Sequence, residues 1–442
     1  MRLTLIQVCS FFAHVYIVSG FVVQEQRAHL QSSTSSLAPA LKDYSTFKYK
    51  YRESSQLNAV PSHFNNEEVE YTLIQDINLI PSHEWDNCLP KSTRYEGQTS
   101  APFLKHAFLS ALEASQCVSP ERGWLPRHLQ IKVKGSLAAY IPMYIKSHSM
   151  GEFIFDSEWA DYAQQKGITY YPKILIGSPF SPVTSEKILM DSDFRDRLKD
   201  MTLLDSKKEE TMDATKEFRK LVANIIISIV KSSKLSSAHI NFLTDDEARD
   251  IAGELIFSQP MQVEANNVDT AHDTSTEDGA LKARNKPKAV FKSVMNQIAK
   301  YTRQVYIRKT TLQYHWVNKN PETNEKYISF DDYLSCFKSK KRIKIKRERN
   351  KVLVDQNIRV DAIVGKQILE YPGLVEKMYE IYKSTVDKMF WGNLYFTLEF
   401  FEMLVESDFV NNLVFMCARF QKEDIASVKI QKGGVILSQW QQ

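Results

Sequence analysis

Residues 135–184 place the tightest limits on what this chain can fold into. At their centre is LAAYIPMYI, residues 137–145, an uncharged run. A membrane span needs ~20 apolar residues, so the run is too short for one, but it is long enough for a buried strand. Residues 148–151, HSMG, make a polar turn. Residues 152–156, EFIFD, read as a returning strand, so a β-hairpin is expected. Asp156 or Ser157 caps a helix carrying Trp159, Tyr162 and Ala163, and Gly167 ends it. Residues 170–177, YYPKILIG, form a further strand whose Pro172 suits an edge or a bulge. Strand, turn, strand, helix and strand make an α/β pattern, with polar groups gathered at the open end of the hairpin.

A chain of 442 residues suggests two domains, and 43% hydrophobic with 11% aromatic residues can fill both cores. Strand character appears at residues 69–80, and Ser82 then caps a short helix holding Trp85. Residues 102–114 form an amphipathic helix. Phe103, Leu104, Ala107, Phe108, Ala111 and Leu112 lie on one face, and Lys105, His106, Ser110 and Glu113 on the other. Strands follow at 129–133 and 236–242, with a buried helix at 221–230 and a Thr244-capped helix at 245–255. Residues 200–218 are charged and read as a solvated insert. Residues 263–287 are low in apolar residues and rich in Asp, Asn, Thr and Ala, so they are expected to be disordered, with a helix expected at 288–303. The second half starts with a strand at 304–316 and a Ser329-capped helix that runs into a basic segment. A strand at 358–369, helices at 373–389 and 396–405, and a hairpin of 414–419 with 425–430 complete it. The expected domains are residues 67–259 and 302–442, with 260–301 as a low-complexity insert between them.

The first 20 residues read as a signal peptide. Arg2 precedes an apolar run interrupted by Gln7 and His14, and Val18-Ser19-Gly20 offers a cleavage point. Residues 21–66 begin with Phe21, are poor in acids and carry Arg27, Lys42, Lys48, Lys50 and Arg52. Such a disordered, transit-like segment behind a signal peptide is similar to the bipartite leaders of secondary plastids, so a plastid is the expected destination; secretion is the alternative. No transmembrane segment is expected. Cys9, Cys88, Cys117, Cys336 and Cys417 form no CxxC pair, which indicates neither a zinc site nor a disulfide framework. No metal is expected.

The block from Pro142 to Thr184 resembles the peptidoglycan biosynthesis/recognition family, a branch of GNAT-like N-acyltransferases related to the Fem-type aminoacyl transferases. So do PFLKHAFLSALEASQCV from Pro102, GWLPRHL from Gly123, QYHWVN from Gln313, FDDYL from Phe330 and KRIKIKRER from Lys341. The resemblance implies two tandem GNAT-like mixed α/β units and transfer of an acyl or aminoacyl group to an amine. The acceptor would be a small molecule or peptidoglycan-like. The donor would be acyl-CoA or aminoacyl-tRNA as co-substrate, with no permanently bound cofactor. In the resembled family further strands and helices follow the final hairpin, whereas GGVILSQWQQ, residues 433–442, matches none of them. The second unit is therefore expected to be incomplete, and an inactive chain is one outcome of that.

N-acyl transfer needs a base for the amine, donors for the oxyanion, an acid for the leaving group and an aligning groove, but no covalent nucleophile. Tyr144, Lys146 and His148 alternate on one strand, and Glu152 and Asp156 alternate on the next. Across a hairpin they would meet, with Tyr144, His148 and Glu152 as catalytic candidates and Lys146 and Asp156 as substrate contacts. A solvent-facing rim with Asp156 as a helix cap is the alternative. His239 and His315 are further catalytic candidates on strands. Gln313, Trp316 and Asn318 are candidate substrate contacts; a hydrogen-bonded core position is the alternative for the two histidines, and satisfaction of backbone at the strand ends is the alternative for Gln313 and Asn318.

Formal net charge is only +4, so the charge that matters is local. Lys338, Lys340, Lys341, Arg342, Lys344, Lys346, Arg347, Arg349 and Lys351 are interrupted by Glu348 alone among acids. From Lys340 to Arg349 the run is a candidate anion site for coenzyme A phosphates, a tRNA backbone or a lipid pyrophosphate. A membrane-surface or nucleic-acid patch, or a solvated helix face, is the alternative. The competing function is therefore a non-catalytic recognition module that binds a polyanion, glycopeptide or nucleic acid through residues 338–351. Tyr379, Tyr382, Met389, Phe390, Trp391, Tyr395, Phe400 and Phe401 are expected to pack a core.

Overall fold

The structure, a computed structural model, describes residues 10–21, 46–49, 64, 68–92, 99–154, 156–205, 213–252, 256–257, 305–390, 392–420 and 432–437. The early strands are β1 (Ser10–Phe21), β2 (Thr46–Tyr49), β3 (Val69–Ile74), β4 (Trp124–Pro126), β5 (His128–Val133), β6 (Ser136–Ile141), β7 (Met143–Lys146) and β8 (Lys173–Ile176). They are followed by β9 (Leu189–Met190), β10 (Ser237–Leu243), β11 (Ile256–Phe257), β12 (Val305–Trp316), β13 (Ile358–Val364), β14 (Leu413–Phe420) and β15 (Lys432–Leu437). The helices are α1 (Ser82–Asn87), α2 (His106–Ala114), α3 (Ser157–Gln165), α4 (Ser192–Asp205) and α5 (Ala214–Ser232). Then come α6 (Asp245–Ala252), α7 (Phe330–Ser335), α8 (Ser339–Asn350), α9 (Leu374–Val386) and α10 (Leu398–Glu406).

The class is mixed α/β. A seven-stranded sheet runs β11-β12-β1-β10-β8-β7-β4, a five-stranded sheet runs β2-β3-β5-β6-β9, and a three-stranded sheet runs β13-β14-β15. By contacts the chain divides into two compact units. One is Val15–Glu113 with Val118–Thr311; the other is Met1–His14 with Ala114–Cys117 and Leu312–Gln442. The residues expected to form a leader include β1, which pairs antiparallel with β10 from Tyr16 to Phe21. Residues 258–304, which hold the whole of the expected insert, lie outside the described residues. No helix among the described residues is long and apolar enough to cross a membrane.

The apolar run at 137–145 is not one strand. Pro142, which has no N–H for a ladder, ends β6 in the five-stranded sheet, and β7 begins at once in the seven-stranded one. The Pro142 carbonyl is used by Gly177 N at 3.1 Å. Both sheets feed one aliphatic core. Leu129, Ile131, Ala139 and Ile141 meet Met143, Ile145, Ile174, Ile176, Ala238 and Ile240, with Phe218, Leu221, Val222, Ile225 and Ile226 of α5 packed among them. The described part of the expected solvated insert is instead the end of α4 and the start of α5, where Phe218 is 0% exposed; residues 206–212 lie outside the described residues.

Other expectations are corrected as well. Residues 152–154 and Asp156 belong to no strand, Phe155 lies outside the described residues, and the partners of β7 are β4 and β8. Strand β8 is central, between β10 and β7, and Pro172 escapes the rule against central prolines by lying just before it. Ser82 is the first helical residue of α1, and Pro81 takes the cap position with no side-chain bond. His106 and Glu113, expected on the polar face of α2, are buried. Strand β14 pairs with β15, at Lys432–Leu437, whereas residues 425–430 lie outside the described residues.

In the second unit Ser329 caps α7 by accepting from Asp332 N, and Thr397 caps α10 by accepting from Phe400 N. The aromatic patch packs only in part. Phe400 and Phe401 are buried and Tyr382 OH accepts from Tyr395 N at 3.0 Å, but Phe390 is fully exposed and Met389 is half exposed. Trp391 lies outside the described residues.

Candidate functional site

Strand alternation sends Met143, Ile145, Ile174, Ile176, Ala238 and Ile240 into the aliphatic core. It turns Tyr144, Lys146, Lys173, His239 and Asn241 to the other face of the seven-stranded sheet. That face is polar, yet Lys146 and Lys173 are 0% exposed and His239 is 3% exposed. Charge buried so completely must be paired. Lys173 Nζ lies 2.8 Å from Asp156 Oδ2, 3.0 Å from Glu152 Oε2, 2.8 Å from Ser149 Oγ and 3.3 Å from His239 Nδ1. Tyr170 OH donates to Asp156 Oδ2 at 2.8 Å, Ser149 Oγ donates to the same oxygen at 2.9 Å, and Tyr171 OH meets Ser149 Oγ at 2.8 Å. The loop 147–154 delivers Ser149 and Glu152, and α3 begins beside Asp156. Asp156 occupies the cap position of α3, but its carboxylate makes no capping bond and turns to Lys173 instead.

The protonation states follow from this enclosure. Burial raises the Glu152 carboxyl above its ordinary range against the pull of Lys173 and Lys146. Among the described residues Glu152 Oε1 has no hydrogen-bond partner. Burial also pushes Asp156 up, but the Lys173 ammonium and its hydrogen bond outweigh it, and the net shift is downward. His239 is held well below the usual imidazole range by burial and by the Lys173 charge, so Nδ1 of a neutral ring faces the ammonium. Lys146 lies 3.5 Å above the centre of the Trp124 ring and donates to Met150 O at 3.2 Å. Burial lowers its ammonium to about 7, opposed by the attraction of Glu152.

Ligand atoms of Glu152, Asp156 and His239 lie within 4.8 Å of one another, a spacing that suits a cation. The Lys173 ammonium already stands within 3.3 Å of all three groups, so the lysine fills that position itself. A metal ion there would have to displace it.

Tyr144 belongs to a neighbouring cluster. Its ring packs edge-on against Trp124 and His128, with centroids 5.6 and 5.2 Å away. His128 Nε2 meets Glu113 Oε1 at 2.8 Å, and Ile77 N donates to Glu113 Oε2 at 2.9 Å. Burial, then the nearby Glu113 charge, drive the Tyr144 hydroxyl well above its ordinary pKa, so it stays protonated. His148 does not join the Lys173 cluster. Its Nδ1 accepts from Met150 N at 3.1 Å, and its ring lies over Gly123, where an added Cβ would come within 2.3 Å of Nε2. The expected convergence across a hairpin therefore takes another form. Glu152, Asp156 and His239 meet at Lys173, Lys146 adjoins them, and Tyr144 and His148 stand apart. The side chains of Gln313, His315 and Trp316 on β12 lie outside the described residues, and Asn318 is exposed. Sequence reasoning passed over Lys173, Ser149, Tyr170 and Tyr171. Their one trace in the sequence is the lysine heading the apolar strand KILI, whose ammonium reaches buried carboxylates rather than solvent.

A separate cavity of about 550 Å³ is lined by residues including Lys91, Thr184, Glu186, Arg195, Lys199 and Thr244. It contains no member of the Lys173 cluster, and Thr244 of its lining directly follows β10. The basic run forms α8 and continues into a π-helical turn at Lys351–Asp355.

Residues 76–272 and 284–436 match the sequence profile of the FemAB-like family, described as peptidoglycan biosynthesis/recognition. The match reaches into β15, the segment that the resemblance had left unplaced. No curated protein and no solved structure matches the chain. The profile covers well over half of the sequence, on both sides of the undescribed middle, and so the chain belongs to the FemAB-like peptidoglycan biosynthesis/recognition family.

Proposed function

We propose that this chain is a GNAT-like N-acyltransferase or aminoacyl transferase acting on an amine of a peptidoglycan-like acceptor. The observation that carries the reading is Glu152, a buried carboxyl with a raised pKa and an unpartnered oxygen, held by Lys173 beside a lysine that titrates near neutrality. A carboxylate of raised pKa is a competent base at neutral pH, and strongly shifted pairs gather at functional sites. In the proposed reaction the acceptor nitrogen attacks the donor carbonyl. A C–N bond forms, the C–S or C–O bond to the donor breaks, Glu152 takes the amine proton, and Lys146 returns one to the leaving group. Lys173 fixes Glu152 against Asp156 and His239. Acyl-CoA and aminoacyl-tRNA both remain candidate donors. Because Glu152 is 3% exposed, access requires the loop 147–154 to open. The same burial favours the competing reading, an inert recognition module in which the cluster is structural.

Mass-spectrometric assay of acyl-CoA and aminoacyl-tRNA donors against stem-peptide acceptors separates the two readings. Turnover that falls about a hundredfold or more in Glu152→Gln, with an unchanged circular dichroism spectrum, is the expected result. Stem-peptide binding without turnover in the wild-type chain would leave the recognition module.

A further inference from the structure

Helix α8 carries two isoleucines in its basic run, and they are used in opposite ways. Ile345 is 9% exposed and packs on Tyr333 and Leu334 of α7. Ile343, two residues earlier, is turned ~200° around the helix and is 62% exposed. Its neighbours on the helix surface, three and four residues away, are Ser339, Lys340, Lys346 and Arg347. Val354, in the π-helical turn that extends α8, is 69% exposed. Local acids satisfy only part of this charge. Lys346 meets Asp331 at 2.8 Å, Lys344 stands 4.0 Å from Glu348, and Arg349 lies over the Phe330 ring at 4.4 Å. Lys340, Arg347 and Lys351 make no ion pair among the described residues.

We propose that the outer face of α8 docks on an anionic lipid bilayer, with Ile343 and Val354 entering the interface and Lys340, Arg347 and Lys351 meeting headgroup phosphates. Charge complementarity requires a polyanion, and the exposed aliphatics choose among polyanions. A bilayer offers acyl surface behind its phosphates, whereas a nucleic-acid backbone offers none. Single-stranded nucleic acid would instead call for aromatic rings to stack on, and α8 with its π-helical extension carries none; Phe330 of α7, 38% exposed, already has Arg349 over its ring. The inference stands apart from the acyltransferase reading and survives its failure.

Co-sedimentation of the full chain with vesicles provides the test. Vesicles of phosphatidylcholine alone are compared with vesicles holding about 30 mol% phosphatidylglycerol, at low and high salt. Binding is expected only to the anionic vesicles, and high salt should weaken it. Lys340→Gln and Arg347→Gln should each cost about fivefold in partitioning. Ile343→Ser should weaken binding with no change of net charge, and a circular dichroism control checks that α8 persists. Equal partitioning to both vesicles, no partitioning, or an Ile343→Ser variant that binds like the wild type would overturn the proposal. So would tighter binding to polyuridylate than to anionic vesicles.

Discussion

Lys146 and Lys173 sit side by side in register on β7 and β8 and respond to burial in opposite ways. Lys173 has carboxylates at 2.8 and 3.0 Å, whereas Lys146 has only a carbonyl and the face of Trp124. Lys146 therefore titrates at about 7 in the fold and at 10.5 outside it. The folded state binds fewer protons between those values, so stability should rise with pH across that window, by up to about 1.4 kcal/mol per unit. In Lys146→Met the rise should vanish, as urea titrations from pH 7 to 10 would reveal. Lys173→Met has a different outcome, because it leaves Glu152 and Asp156 buried together without a cation. A loss of about 3–5 kcal/mol is expected in the same titration at pH 7. Glu152, Asp156 and His239 were legible in the sequence as acid–base side chains, although the strand expected to carry Glu152 and Asp156 does not form. Lys173 was not, because a lysine heading an apolar strand looks the same whether its ammonium reaches solvent or a buried carboxylate.

At the level of elements, the loop 147–154 owes its path to glycines. Gly151 has φ +79°, and a Cβ there would lie 2.4 Å from the Phe180 ring; Gly123 has φ +72° under the His148 ring. Gly151→Ala should cost about 1–2 kcal/mol from backbone strain alone and more from the ring contact. The readout is a lowered melting temperature. If this loop is the cover of the cluster, the variant should also change the acceptor KM more than the donor KM. The hairpin expected here failed for a physical reason. EFIFD has strand composition, but Phe153 takes φ +54°, a left-handed backbone that no regular strand contains, and is left 44% exposed while Glu152 and Asp156 turn to the Lys173 ammonium. Amphipathic reading likewise misplaced Glu113 and His106, since residue type alone cannot reveal a buried acid that is satisfied by His128 and Ile77 N.

At the level of the whole molecule, mixed α/β class and most elements could be read from periodicity, because Leu221 to Val230 and the β10 segment bury nearly every side chain. Sheet membership could not, because pairing joins segments far apart in sequence, as β8 joins β10 and β7. Phe218 shows how far charged surroundings can mislead. It is flanked by Glu217 and Arg219, yet its ring packs against Phe194 at 4.7 Å and Phe64 at 5.8 Å. Phe218→Ala should cost about 3–5 kcal/mol. Because both sheets share that core, calorimetry should show a single lowered transition for this unit. The same sharing bears on descent. With only Pro142 between β6 and β7, a recombination event that tried to trade one sheet for a foreign one would have its breakpoint inside a hydrophobic ribbon. The two sheets should therefore be inherited as one indivisible block, and chimaeras joined at that proline should accumulate as insoluble protein.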